Sequence, residues 1–62
     1  MTKDQAIERA QHDAKRDRRK LAVLNLNRYS TIAFVVREYD ADMAAHDYGL
    51  VAIIDENGAV LT

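Results

Sequence analysis

Sixty-two residues carry nine Lys or Arg against ten Asp or Glu, with 48% apolar side chains, no cysteine and no proline. A chain this short makes one domain and buries only about 60% of its unfolded surface, so its stability is marginal unless disulfides, a metal or association help. The missing thiols exclude disulfides, and with two histidines they leave no donor set for a tetrahedral metal staple, so no cofactor is expected.

Charged side chains run through residues 1 to 20, leaving no signal-peptide core, and no run approaches the roughly 18 consecutive apolar residues of a membrane span. The expectation is a soluble cytoplasmic protein with no membrane partner, which the absence of cysteine fits. Net charge is −1, but it is unevenly spread. Residues 1 to 28 hold eight Lys or Arg against four acids, whereas residues 29 to 62 hold Arg37 against six. Such polarity serves self-association or a charged partner.

Thr2 followed by Gln5 has the spacing of a capping box, so a helix is predicted over residues 3 to 19. Ile7, Ala10, Ala14 and Leu21 recur at helical spacing, and no Gly or Pro interrupts the segment. Its apolar stripe is mostly alanine, which permits close approach to a sheet but contributes little area. Beyond Lys20 the period changes to two, predicting a strand over about 21 to 26.

Asn27 to Ser30 supply a turn, Asn by tolerating positive φ and Ser by bonding its own backbone. A second strand is expected over 31 to 39, with Ile32, Phe34 and Val36 on one face and Ala33, Val35 and Tyr39 on the other. The short connection makes the first two strands an antiparallel hairpin. Residues 40 to 48 read as a polar connection with room for a helical turn around Met43 to Ala45. Gly49 then leads into a strand over about 50 to 55. Asn57-Gly58 predicts a type I′ turn, and residues 59 to 61 a short last strand.

The expected fold is α+β: one N-terminal helix packed on a small, mainly antiparallel sheet of three to four strands. The strands are apolar on both faces, yet only one helix is available to cover them. Ile32, Ala33, Phe34, Val35, Val36, Val51 and Ile53 are therefore candidates for an interface, most simply in a homodimer or small homo-oligomer. The competing reading folds the 40 to 48 segment, the N-terminal end or the last strand over that face.

Lys15, Arg16, Arg18, Arg19 and Lys20 form a compact basic run that can neutralise phosphates. They equally suit the solvated end of a helix, where cations oppose the macrodipole, and Asp13 and Asp17 dilute them. The aromatic residues Tyr29, Phe34, Tyr39 and Tyr48 are not interleaved with them, which weakens a nucleic-acid reading. Asp40, Asp42, His46 and Asp47 cluster as oxygen and imidazole donors. Counted from Asp40, however, Ala45 and Val51 stand where a calcium loop needs Gly and a bidentate acid.

Catalysis has little support. Ser30 would need His12 or His46 and an orienting acid, and His12 reads as a surface residue. Glu38 and Asp40 flank a strand end, and the two glycines form no phosphate-cradling loop. Tyr29, Tyr39 and His46 are further candidates, for lining a small-molecule site at a subunit interface. The chain is read as no enzyme.

The stretches VLNLNRYSTIAFVVREYD and LVAIIDENGAV, the latter with its D-x-x-G turn at Asp55 to Gly58, resemble small accessory proteins encoded by bacteriophages and prophages. That resemblance implies a viral protein in the host cytoplasm that acts by binding a host or viral macromolecule. It transfers no site. Nucleic-acid binding through the basic helix end is the alternative.

Overall fold

A computed structural model describes residues 1 to 42 and 49 to 61. The expected turn around Met43, the donors His46 and Asp47, and Tyr48 lie outside the described residues. Among the described residues, one helix, α1 (Lys3–Asp17), packs against three strands: β1 (Leu21–Asn25), β2 (Phe34–Glu38) and β3 (Leu50–Ile54). It is the α+β arrangement expected.

Helix α1 starts where its capping box places it. The Gln5 N–H donates to the Thr2 hydroxyl at 3.2 Å, and the Thr2 N–H donates to Gln5 Oε1 at 3.0 Å, so two orphan donors are satisfied together. The helix stops two residues before the predicted end. Arg18 takes the left-handed conformation, φ 53° and ψ 46°, and the Arg19 N–H returns to the Ala14 carbonyl at 3.2 Å. That six-to-one bond is the Schellman ending, normally given to glycine because a Cβ costs about 1–2 kcal/mol there. A reversal this sharp lets β1 begin at Leu21, under the helix it has just left.

The sheet order is β2-β1-β3, with β1 antiparallel to both neighbours. Consequently β2 and β3 run parallel on either side of it, joined by a crossover. Leu21 stands between Glu38 and Ile54, Ala22 between Arg37 and Ile53, and Leu24 between Val35 and Leu50. A bulge at Val51 shifts the β3 register by one between Val23 and Leu24.

One side of the sheet meets α1. Ala6, Ala10 and Ala14 are fully buried against Leu21, Val23, Phe34, Ala52 and Ile54, and Ile7, Val36 and Val51 pack at the margin. Ala6 joins the stripe that the sequence placed on Ile7, Ala10 and Ala14. The helix contributes methyl groups and the strands contribute bulk, so the two backbones approach closely.

Three boundaries differ from expectation for a common reason: side chains capture backbone donors that a ladder would otherwise use. The second strand begins at Phe34 rather than residue 31. Asn25 Oδ1 accepts from the Asn27 N–H at 3.1 Å, Asn27 Oδ1 from Tyr29 at 3.0 Å, and Ser30 Oγ from Ile32 at 3.1 Å. Asn27 works as an acceptor and not through positive φ. In the last hairpin, Gly58 alone has positive φ (84°) and its N–H donates to the Asp55 carbonyl at 3.0 Å. The turn is therefore a three-residue loop with a left-handed glycine, and not type I′. Asp55 Oδ1 accepts from both Asn57 and Ala59. The predicted strand over 59 to 61 reduces to one bridge, Val60 opposite Ile54, with the Leu61 N–H on the Ile53 carbonyl at 2.7 Å.

Candidate interaction surface

Antiparallel register fixes which residues share the side of the sheet away from α1. Ala22 lies with Arg37 and Ile53, Leu24 with Val35 and Leu50, and Tyr39 beside Lys20, whose carbonyl accepts the Tyr39 N–H at 3.0 Å. On this second face Ala22 and Leu24 are buried, while Val35, Leu50 and Ile53 are half-buried. The face is thus partly screened within one chain. Its apolar centre grades into a cationic and aromatic end, where Lys20 Nζ sits 4.5 Å from the Tyr39 ring centre.

The seven interface candidates divide. Val35 and Ile53 lie on the second face. Phe34 is buried in the helix-side core, and Val36 and Val51 pack against it, so these three are already engaged within the fold. Ile32 and Ala33 precede β2 in the hairpin connection. There the structure exposes Ile32 together with two apolar side chains outside the seven candidates. Leu26 is 62% exposed, Tyr29 84% and Ile32 66%. Met1 stands beside Ile32, its amine donating to the Ile32 carbonyl at 2.8 Å and its carbonyl accepting from the Phe34 N–H at 3.2 Å. Tyr29 was expected in the turn, whereas Leu26 was expected at the end of the first strand and lies just beyond it.

The basic run does not form one patch. Arg16 pairs with Asp13 at 3.5 Å and with Asp17 at 3.0 Å, and Arg19 with Asp17 at 3.7 Å and with Glu38 at 3.5 Å. Arg9 extends this chain of alternating charges to Asp13 at 3.6 Å. The Asp17 carboxyl is held below the usual carboxylate range, first by the hydrogen bond from Arg16, against some desolvation, and then by the charges of Arg16 and Arg19. Arg16 is raised in turn by its hydrogen bond to Asp17 and by the charges of Asp17 and Asp13. Lys15 and Arg18 instead line a shallow cleft with Glu56 and Asn57, and Lys20 lies over Tyr39. Five cations adjacent in sequence therefore point to three surroundings, two of them containing acids.

The catalytic and metal candidates are not assembled among the described residues. The Ser30 hydroxyl accepts a backbone N–H in its own turn, and exposed His12 lies 3.6 Å from Asp13. Asp40 Oδ1 accepts the Asp42 N–H at 3.0 Å, an ordinary Asx turn. No group of three or more metal-donor side chains occurs among the described residues. Nor is any described helix long and apolar enough to cross a membrane.

The geometry defines a small α+β domain with one well-filled core and a second, partly screened sheet face. No protein family, curated protein or solved structure matches this chain.

Proposed function

We propose that this protein acts by binding a macromolecule, without catalysis, and that it self-associates through the second sheet face. The observation that carries the reading is the set Val35, Leu50 and Ile53, half-buried in one chain on the side that α1 does not cover. Apolar area of this kind gains about 25 cal/mol per Å2 when a partner removes it from water. A setting among phage accessory proteins, as the resemblance suggests, agrees with a small binding protein. Light scattering after gel filtration tests the proposal. A mass well above that of one 7.0 kDa chain is expected, and Ile53→Lys should return it to the monomer while the helical signal persists. A monomer at high micromolar concentration would sink the reading.

One observation favours nucleic acid as a second reading. The register sets Tyr39 beside Lys20, 19 residues away in sequence, with Arg37 two positions along the same face, joining an aromatic ring to cations from two segments of the chain. Stacking beside positive charge is how single strands are held. Binding of a labelled oligonucleotide should then weaken steeply with salt and fall when Lys20 and Arg37 become Ala. Affinity that ignores both changes would remove this reading.

A further inference from the structure

We infer that Asn57-Gly58 is a site of spontaneous covalent modification whose isoaspartyl product releases the C-terminal segment from the outer edge of β3. The inference is independent of the self-association reading. Asn57 is exposed at the apex of the last hairpin, and Gly58 follows it without a side chain to shield its amide nitrogen. The other two asparagines, Asn25 and Asn27, precede Leu26 and Arg28, whose side chains hinder the same attack.

The chemistry needs only water. The Gly58 amide nitrogen attacks the Asn57 side-chain carbonyl carbon, forming a C–N bond; the side-chain amide leaves as ammonia, carrying away the Gly58 proton. Water then opens the resulting succinimide at either carbonyl. One opening gives an aspartyl residue. The other gives an isoaspartyl linkage, with the backbone passing through the former side chain and lengthened by one carbon. Each product carries a new carboxylate. In the closed turn the Gly58 N–H is donated to the Asp55 carbonyl at 3.0 Å, so attack occurs when the hairpin opens. Such opening is local, because a single bridge holds the segment beyond it.

The closed state is fitted to a backbone of ordinary length. The Gly58 carbonyl accepts from Gln11 Nε2 at 3.0 Å, which ties the turn to α1. An inserted carbon pushes this contact away from α1 and spoils the Asp55 bonds to Asn57 and Ala59. The Leu61 N–H then loses its hold on the Ile53 carbonyl, and the outer edge of β3 becomes an unpaired strand edge open to pairing. The aspartyl product keeps the backbone length and places its carboxylate in the cleft shared with Lys15 and Arg18. It leaves the latch closed.

The test incubates the purified full chain at mildly alkaline pH and physiological temperature, with peptide mapping, isoaspartyl-specific enzymatic methylation and amide hydrogen exchange. A gain of one mass unit at Asn57, with Asn25 and Asn27 unchanged, is expected, together with an isoaspartyl fraction. In that fraction the Leu61 N–H should exchange at least several-fold faster. Asn57→Gln should abolish the conversion, and Asn57→Asp should keep Leu61 protected, since it adds the charge without the extra carbon. Conversion at Asn57 no faster than at Asn25 and Asn27 would overturn the site. Unchanged Leu61 exchange in the isoaspartyl fraction, or lost protection in Asn57→Asp, would overturn the latch.

Discussion

The two faces of the sheet are built from similar side chains and filled in different ways. On the helix side, Ala6, Ala10 and Ala14 bring backbone against sheet, and Val23, Phe34 and Ile54 fill the gap to full or near-full burial. On the other side, Ala22 and Leu24 are buried in the central strand while Val35, Leu50 and Ile53 remain half-exposed. The difference teaches that apolar content does not decide which face of a small sheet becomes core. What decides is the small-residue stripe of the covering element, which sets how closely the second layer can approach.

Adjacent residues on opposite faces give the strongest way to break this comparison. Ile54→Ala removes a fully buried side chain and should cost about 2–5 kcal/mol, whereas Ile53→Ala in the monomer should cost well under half of that. Denaturant titration of the pair measures the asymmetry, and equal losses would show the faces to be equivalent. Ala10→Leu attacks the helix side from above, forcing methyl groups into a space set by alanine. A loss of about 1–3 kcal/mol is expected, and a thermal midpoint at or above that of the wild type would mean the helix simply rides higher.

A smaller effect of opposite sign comes from the helix end. Arg18 holds φ 53° with a Cβ in place, and Arg18→Gly should stabilise the fold by about 1 kcal/mol because only the strain is removed. Destabilisation instead would mean that the Arg18 side chain contributes more than its backbone costs. The smallest effect is the response to acid. The folded-state pKa of Asp17 is depressed, so its contribution is fully present above the unfolded aspartate value of about 3.9 and is lost as pH falls through the lower folded value. Asp17→Asn should flatten the acid limb of the stability curve slightly, screening at this exposed position keeping the change small.

Much of the helix side was legible in the sequence. The capping box fixed where α1 begins, and alanines at four-residue spacing marked its buried stripe, because both signals act within a turn or two of chain. The position of β1 followed from the change to period two after Lys20, and that of β3 from a β-rich run behind Gly49, for the same reason. What the pattern missed depends on competition or distance. Thr31 and Ile32 have strand propensity, yet the acceptors on Asn25, Asn27 and Ser30 claim the local N–H groups and hold the chain in turns. The early helix stop at Arg18 was hidden because arginine carries no signal for a left-handed residue. The division of the basic run among Asp17, Glu38, Tyr39 and the Asn57 turn follows from β1 lying in the middle of the sheet. Asp17 is a local partner, but Glu38 and Tyr39 lie 19 residues from Arg19 and Lys20, and Glu56 and Asn57 lie 38 to 42 from Arg18 and Lys15, distances that no local pattern encodes.

That central position of β1 also bears on how the fold is reached. Its pairing with β2 closes from Asn25 and Phe34, nine residues apart, whereas the nearest β3 pair, Leu24 with Leu50, spans 26. The longer closure carries the greater entropic cost, so helix and hairpin assemble first and β3 docks last along the free side of β1. Slow unfolding should run in reverse. The β3 amides and the Asn25 N–H, which is bonded to the Gly49 carbonyl, should lose exchange protection before the Val35 amide does.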